Sequence, residues 1–446
     1  MERDDVAASA ADAGDTPASK RVRFAMSMSS NDAIHLAIAL QYEAFLSDEL
    51  NVVEVDDADQ VEAGEIDFFS PAFTYHAFGK DEQIEGYDGL RVEVLISARD
   101  FSAMLNVTYK GHEPRCDDIV AKIMPSLPNA VVQDKEKFLE ALRSSSSTPL
   151  KPPGDLMNSY TVLIDGAERQ FEIYECALDK NEAAQSLHQN MQTMSLWFIE
   201  GADGIDVTDS RWVVYITYER LSAERLLPVG YITLFKFFNP LGRKNGNSSA
   251  TETHRICQAL VFPTHQRQGH CERLVDFIYR KVQDDPNVYE ITVEDPVPGF
   301  SKVCCVVSMA VSKCFLRVTP QLRDYVDAKH CKESGFFSIP PGASADVPAA
   351  HGTASLQSSD IEAVQAKLKL TQRQVQRCYE IFKLSFIDRT DESEYKRFRL
   401  EVKKRLFKLH AEDIEGIGAE RRKAFLDAEY KQLEAIYDAI LGKLCL

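Results

Sequence analysis

The stretch from Ile256 to Val293 constrains the fold of this 446-residue chain more than any other. Ile256 to Phe262 is a strand-like run, and it feeds the loop Pro263-Thr264-His265-Gln266-Arg267-Gln268-Gly269-His270-Cys271. Leu274, Ile278 and Val282 then recur at i, i+4 and i+8 with Val275 and Tyr279 alongside, which predicts an amphipathic helix stopped by Pro286. Tyr289 to Val293 is strand-like again, and the β-branched and aromatic runs Trp212 to Tyr218 and Val229 to Phe238 precede the unit. The order is strand, glycine-containing loop, helix, strand. A helix that starts from such a loop presents free backbone N–H groups and the positive end of its dipole, so an anion binds there without needing a side chain. Gly269 lets the backbone approach a ligand closely, and Arg267 and Arg273 add charge.

Composition divides the rest of the chain. Residues 1–24 mix Ala, Asp and Ser with few large apolar side chains, which predicts a disordered tail. Ser144 to Gly154 and Ile339 to Ser359 are rich in Ser, Pro and Gly and read as linkers at 144–155 and 339–359. Three folded blocks follow: 25–143, 156–338 and 360–446. The first is expected to be mixed α/β and the second a mixed sheet flanked by helices. The third is helical, with Lys/Arg-dense patterns at Leu370 to Phe386 and Glu394 to Leu409.

The chain holds 69 acidic and 51 basic residues, a formal charge of −18. That sign disfavours broad contact with nucleic-acid phosphates and favours a basic partner. The acidity is uneven: residues 361–446 hold 18 Lys/Arg against 15 Asp/Glu, while Asp48 to Asp67 carries nine carboxylates and no cation. Such a run reads either as a solvated loop or as an electrostatic guide for a basic ligand. Ten cysteines without a Cys-x-x-Cys pair read as reduced thiols, and neither a disulfide framework nor a metal site is expected. No apolar run approaches the roughly 18 residues of a membrane helix, so a soluble protein of nucleus and cytoplasm is expected, without membrane or direct nucleic-acid contact.

The segment Gln258-Ala-Leu-Val-Phe-Pro-Thr-His-Gln-Arg-Gln-Gly-His270 resembles the acetyl-CoA motif of the GNAT acetyltransferases. Ile291-Thr-Val-Glu-Asp-Pro296 is similar to the catalytic strand of the type B histone acetyltransferase catalytic subunits. Phe69 to Gly79, Glu85 to Leu90, Leu196 to Asp206, Arg377 to Phe382 and Tyr395 to Leu406 resemble the same family, so the likeness spans about 25–410. It implies a GNAT-type mixed sheet, with acetyl-CoA as acetyl donor. The strand backbone of Leu260, Val261 and Phe262 would meet the acetyl and pantetheine arm, and Gln266, Arg267, Gln268, Gly269, His270 and Cys271 would wrap the pyrophosphate. Trp197, Glu200, Asp203 and Asp206 would line the substrate side. Cys271 stands where the superfamily pattern asks for Gly or Ala, Glu272 adds a negative charge near the pyrophosphate, and Cys304-Cys305 replace an Arg-Asp pair.

Acetyl transfer to lysine needs a neutral amine, and free lysine titrates near 10.4, so a base is required. By resemblance Glu294 is the first candidate, at the end of a strand that reads as buried; Glu200 and Asp295 are alternatives. From residues alone, a strand-end Glu-Asp pair also reads as a turn. Cys271 and Cys304 read as structural thiols, because a nucleophilic thiol needs a base partner and an electropositive site. The resemblance implies a lysine Nε-acetyltransferase for the tail of newly made histone H4 (with H3), partnered by a WD-repeat histone chaperone held by Phe69 to Asp88. Two other readings stand beside it: an acetyltransferase for a small amine or another protein amine, and an acidic histone-binding scaffold without turnover.

Overall fold

The computed structural model describes residues 27–39, 67–128, 131–146, 150–240, 250–297, 299–304, 307 and 358–444. The expected tail at 1–24, the acidic run up to residue 66 and residues 339–357 of the second expected linker lie outside them. In the first block, β1 (Ile34–Ala39), β2 (Arg91–Ser97), β3 (Ala103–Thr108) and β4 (Val131–Val132) form a sheet in that order. Side chains alternate between the faces of a strand. One face places Ala37, Leu95 and Met104 against Phe138, Leu139 and Leu142 of α1 (Lys135–Ser146); the other turns Leu36, Val94, Ile96 and Leu105 inward.

The larger sheet has six strands in sequence order: β5 (Asp155–Ile164), β6 (Ala167–Ala177), β7 (Trp212–Arg220), β8 (Leu226–Phe238), β9 (Glu252–Val261) and β10 (Val288–Val293). Neighbours are antiparallel except β9 and β10, which are parallel. The four runs expected to be strands are β7 to β10. β5 and β6 had no such signal: β5 is an edge strand exposed along most of its length, and the first four residues of β6 are exposed too. Partial burial removes the apolar alternation by which a strand is recognised.

Both faces of this sheet are covered, giving the mixed α/β architecture with a helical C-terminal region that the sequence suggested. On one face, Tyr174, Val214, Ile216, Tyr218 and Leu260 share a core with the small sheet and with Leu187, Met191, Met194 and Trp197 of α2 (Glu182–Met191) and α3 (Thr193–Phe198). On the other, Ile173, Val213, Tyr215, Ile232, Ile256 and Ile291 meet α4 (His270–Asp284) and α5 (Ser358–Leu368). α4 buries Leu274, Val275, Ile278, Tyr279 and Val282, the predicted stripe. Each such side chain removed from water contributes about 1.5–3 kcal/mol. Gly230 is required where β8 crowds β9, because a Cβ there would stand 2.3 Å from the Leu260 carbonyl oxygen.

The C-terminal block continues with α6 (Gln372–Phe386), α7 (Glu392–Leu409) and α8 (Ala419–Leu444). α6 starts at a capping box in which Thr371 and Gln374 satisfy each other's backbone N–H. The core of these helices encloses one carboxylate: Glu380 is 1% exposed, receives Arg405 at 2.6 and 2.8 Å, and accepts the Tyr437 hydroxyl at 2.8 Å. Removing one partner of a buried pair strands the other. Glu380→Ala is therefore expected to lower stability by about 3–5 kcal/mol, read as a shift of the urea midpoint; an unchanged midpoint would mean that Arg405 reaches solvent.

Candidate functional site

The site is created by two strands that part. β9 and β10 pair from Glu252–Val288 to Ile256–Val293, and the Glu294 N–H makes a final bond to the Ile256 carbonyl at 2.9 Å. Beyond that point β9 runs on to Val261 paired with β8, and among the described residues no strand lies against the other edge of Cys257 to Val261. Cys257 is an extra residue in the β8–β9 register, a bulge at the mouth of the opening. Leu260 and Phe262 turn their side chains into the core, so this edge offers backbone.

The chain then makes a 3₁₀ turn at Pro263–His265 and enters α4 through two left-handed residues, Arg267 (φ +63°) and Gly269 (φ +85°). No side chain caps the helix. Among the described residues, the backbone N–H groups from Arg267 to Glu272 donate to no protein acceptor. Left-handed residues next to a helix start gather N–H groups into an anion-binding concavity. Arg273 binds the Gly269 carbonyl at 3.2 Å, so its cation stays beside the loop. The negative charge of Glu272 is paired with Lys443 of α8, which offsets the repulsion expected between Glu272 and an anion. At Cys271 a β-carbon is tolerated, and the half-buried side chain packs against the α4 core.

Buried polar groups underlie the loop. His265 Nε2 donates to Glu219 Oε2 at 3.0 Å, and Arg169 reaches Glu219 Oε1 at 3.4 Å. His270 Nε2 donates to Gln268 Oε1 at 3.1 Å while its Nδ1 lies 2.9 Å from the Tyr160 hydroxyl. None of Glu219, His265 and Tyr160 stood out in the sequence: they come from three separate strands or turns, and only the folded sheet joins them.

The acidic candidates sit around the opening. Glu200, Asp203 and Asp206 are exposed on the loop after α3, and this loop is tied to β9 by Gln258 Nε2, which donates to the Asp203 carbonyl at 2.7 Å. Gln258, the first residue of the motif segment, thus holds the acidic rim against the open strand. Trp197, expected on the substrate side, is 1% exposed: its indole meets His76 edge-on at 4.6 Å, and its carbonyl accepts the Ala72 and Phe73 N–H groups. It supports the rim from inside the core. Glu294 was expected to be buried, but its side chain is 47% exposed, with Arg255 at 3.7 Å. The reason is local: pairing ends at Val293, so the next residue already leaves the sheet. Asp295 is exposed and left-handed (φ +31°). Among the described residues no group of three or more His, Cys, Asp or Glu is placed to hold a metal, and no helix is long and apolar enough to cross a membrane.

Comparison with known proteins follows this geometry. Residues 26–200 match the family described as histone acetyl transferase HAT1 N-terminus. Over 386 residues the chain is 28% identical to the histone acetyltransferase type B catalytic subunit of Kluyveromyces lactis, covering 85% of this chain and 88% of that one. The human protein of that name is 29% identical over 352 residues, covering 76% and 74%, and the Candida albicans one 28% over 388 residues, covering 85% and 86%. Over most of its length the chain is thus similar to proteins named histone acetyltransferase type B catalytic subunit. The resemblance carried by the loop and the Ile291 to Pro296 strand therefore extends over most of the chain.

The thiols at this site are unsuited to nucleophilic attack. Burial, then the charge of Glu272, pushes Cys271 up to about 12; burial, then a hydrogen bond to Glu294, pushes Cys257 up to about 12. Both stay protonated well above neutral pH. Alkylation of Cys271 by iodoacetamide at pH 7.5 is expected to be at least about 100-fold slower than that of an ordinary exposed thiol and to rise about tenfold per pH unit. Mass spectrometry of the labelled peptide reads this directly, and rapid labelling at neutral pH would reinstate Cys271 as a candidate nucleophile.

Proposed function

We propose that this chain is a histone lysine acetyltransferase that moves acetyl from acetyl-CoA to the ε-amine of lysines in the N-terminal tail of newly made histone H4. The transfer is direct, in a ternary complex, with Glu294 as general base. The observation that carries the reading is the run of unpartnered N–H groups from Arg267 to Glu272 beside the open edge of β9. A pyrophosphate satisfies the first and an extended amide-bearing arm suits the second. The relatives named histone acetyltransferase type B catalytic subunit support the same reaction. When bound, acetyl-CoA supplies the thioester carbonyl that the amine attacks.

This chain's own residues have three tasks. The loop from Gln266 to Cys271 binds and orients the phosphates through backbone, with Arg267 and Arg273 adjacent. Glu294 takes the proton from the attacking lysine; it stands at the last β9–β10 hydrogen bond, next to the opening. Its exposure falls when a peptide covers the opening, which favours proton acceptance by the carboxylate. Glu200, Asp203 and Asp206 attract the Lys/Arg-rich tail, within a Debye length of about 8 Å at physiological salt. Small-amine substrates need no such rim, which weighs against that alternative.

Glu294→Gln is expected to leave coenzyme A affinity intact and to lower turnover about 10²- to 10⁴-fold, with partial recovery at high pH where more lysine is neutral. Gly269→Asp is expected to weaken coenzyme A binding in calorimetry, because a side chain at φ +85° is strained, a Cβ would meet Arg273, and the charge repels phosphate. A nearly wild-type Glu294→Gln with an inactive Glu200→Gln would move the base to Glu200. Unaltered binding by Gly269→Asp would remove the loop assignment.

The first block is the proposed seat of a WD-repeat histone chaperone that would hold the H3–H4 body, through Phe69 to Asp88. This region presents Tyr87 stacked edge-on with Tyr109, itself 48% exposed, which is the aromatic character that protein contacts favour. Tethering raises the local concentration of the tail without altering the chemistry. The Michaelis constant is expected to fall on adding the chaperone with intact histone but not with a short tail peptide; equal stimulation of both would exclude tethering.

A further inference from the structure

The third residue of α4 is a glutamate whose side chain is not where helix chemistry ordinarily puts it. α4 starts from Gly269, so His270, Cys271 and Glu272 are its first three helical residues. A Glu or Gln at the third position commonly reaches back to accept the N–H of the residue that starts the helix. α6 does this in the same chain: Gln374, third in that helix, accepts the Thr371 N–H at 2.7 Å. In α4, Glu272 Oε2 accepts from Lys443 Nζ instead, and among the described residues the Gly269 N–H has no protein acceptor.

That N–H belongs to the group read as the phosphate site, so a Glu272 carboxylate folded onto it would take the place of a phosphate oxygen. The neighbouring cations of α4 are committed elsewhere. Three and four residues beyond Glu272, the positions that face it on the helix, stand Val275 and Asp276, and Asp276 pairs with Arg280 at 2.8 Å. Arg273 binds the Gly269 carbonyl at 3.2 Å and lies over the Tyr160 ring at 5.5 Å. The cation comes from the last turn of α8, 171 positions away, where Tyr437, Ile440 and Leu441 anchor the helix in the C-terminal core. The side chains of Lys443 and Glu272 are 51% and 29% exposed, so the pair adds little to stability. Its consequence lies in where it leaves the carboxylate.

We propose that Lys443 is a positioning residue of the cofactor site: it holds the Glu272 carboxylate off the Gly269 N–H and so keeps the loop open to the phosphates of coenzyme A. The inference rests on the reading of this loop as a coenzyme A pyrophosphate site. With Lys443 in place, the ligand meets unpartnered N–H groups. Without it, Glu272 completes the cap that Gln374 makes in α6, and the ligand must displace a carboxylate that competes from within the same helix at high effective concentration. A residue of the helical block thereby sets the cofactor affinity of a loop that belongs to the sheet.

The test is a double-mutant cycle on the full-length chain, read by calorimetry with coenzyme A. Lys443→Met is expected to weaken binding about 10-fold, the scale of one charge-assisted hydrogen bond that the ligand must displace. In turnover the loss should fall on the Michaelis constant for acetyl-CoA rather than on kcat, and Lys443→Arg should restore it. In the Glu272→Ala background Lys443→Met is expected to have no effect, because the competing carboxylate is gone. Hydrogen exchange of the unliganded protein supplies a readout that a packing role would not move: Lys443→Met should slow exchange in the peptide containing Gly269, whose N–H gains an acceptor. Equal weakening by Lys443→Met with and without Glu272→Ala would overturn the proposal, as would full affinity or unchanged exchange in Lys443→Met, and each leaves the loop assignment standing. Absence of coenzyme A binding by the wild-type chain would remove the assignment and the role of Lys443 together.

Discussion

The parallel pairing of β9 with β10 is the constraint on which the rest depends. Parallel neighbours cannot be joined by a tight turn, so a crossover must run back along the sheet, and α4 is that crossover. Its first turn must then lie at the carboxyl end of β9, where among the described residues the strand has no partner on its outer edge. An open strand edge and an uncapped helix start are each unfavourable alone, because both leave backbone groups unpaired. Placed together they put the unpaired backbone of Cys257 to Val261 beside that of Arg267 to Glu272, the surface proposed for the cofactor.

The remaining architecture holds that surface still. Apolar packing on both faces fixes the sheet, and polar contacts fix the rims: Gln258 ties the acidic loop after α3 to β9, while Lys443 of α8 neutralises Glu272 beside the phosphate loop. The helical block therefore reaches back to the site. Its net positive charge contrasts with the acidity of the other blocks, so an electrostatic attraction between regions of the chain adds to the apolar contact of Ile361, Val364, Leu368 and Val375 with the sheet.

Proton placement follows from the same geometry. A carboxylate at the end of a strand is accessible because hydrogen-bonded pairing stops there, as at Glu294. One in the middle of a strand is buried and needs a cation, as at Glu219. Glu294 is open to solvent at the strand end, whereas Glu219 is enclosed and held by His265 and Arg169. Burial raises the nearby thiols Cys257 and Cys271.

Local periodicity made α4, β7 to β10 and the long C-terminal helices legible, because amphipathic helices and buried strands carry their burial in their own residue order. The loop before α4 was legible for a similar reason: a glycine between a strand run and a helix run is a local pattern. β5 and β6 were hidden by their exposure. Trp197 and Glu294 show that residue type does not determine burial, since one is enclosed by the first block and the other released where pairing ends. The Glu219–His265 contact joins residues 46 positions apart in sequence. The sequence by itself determined most of the elements and the strand–loop–helix unit around Gly269, whose physics is local. Only the tertiary structure decided which carboxylate is covered and which is exposed, because burial depends on neighbours the fold brings from distant strands.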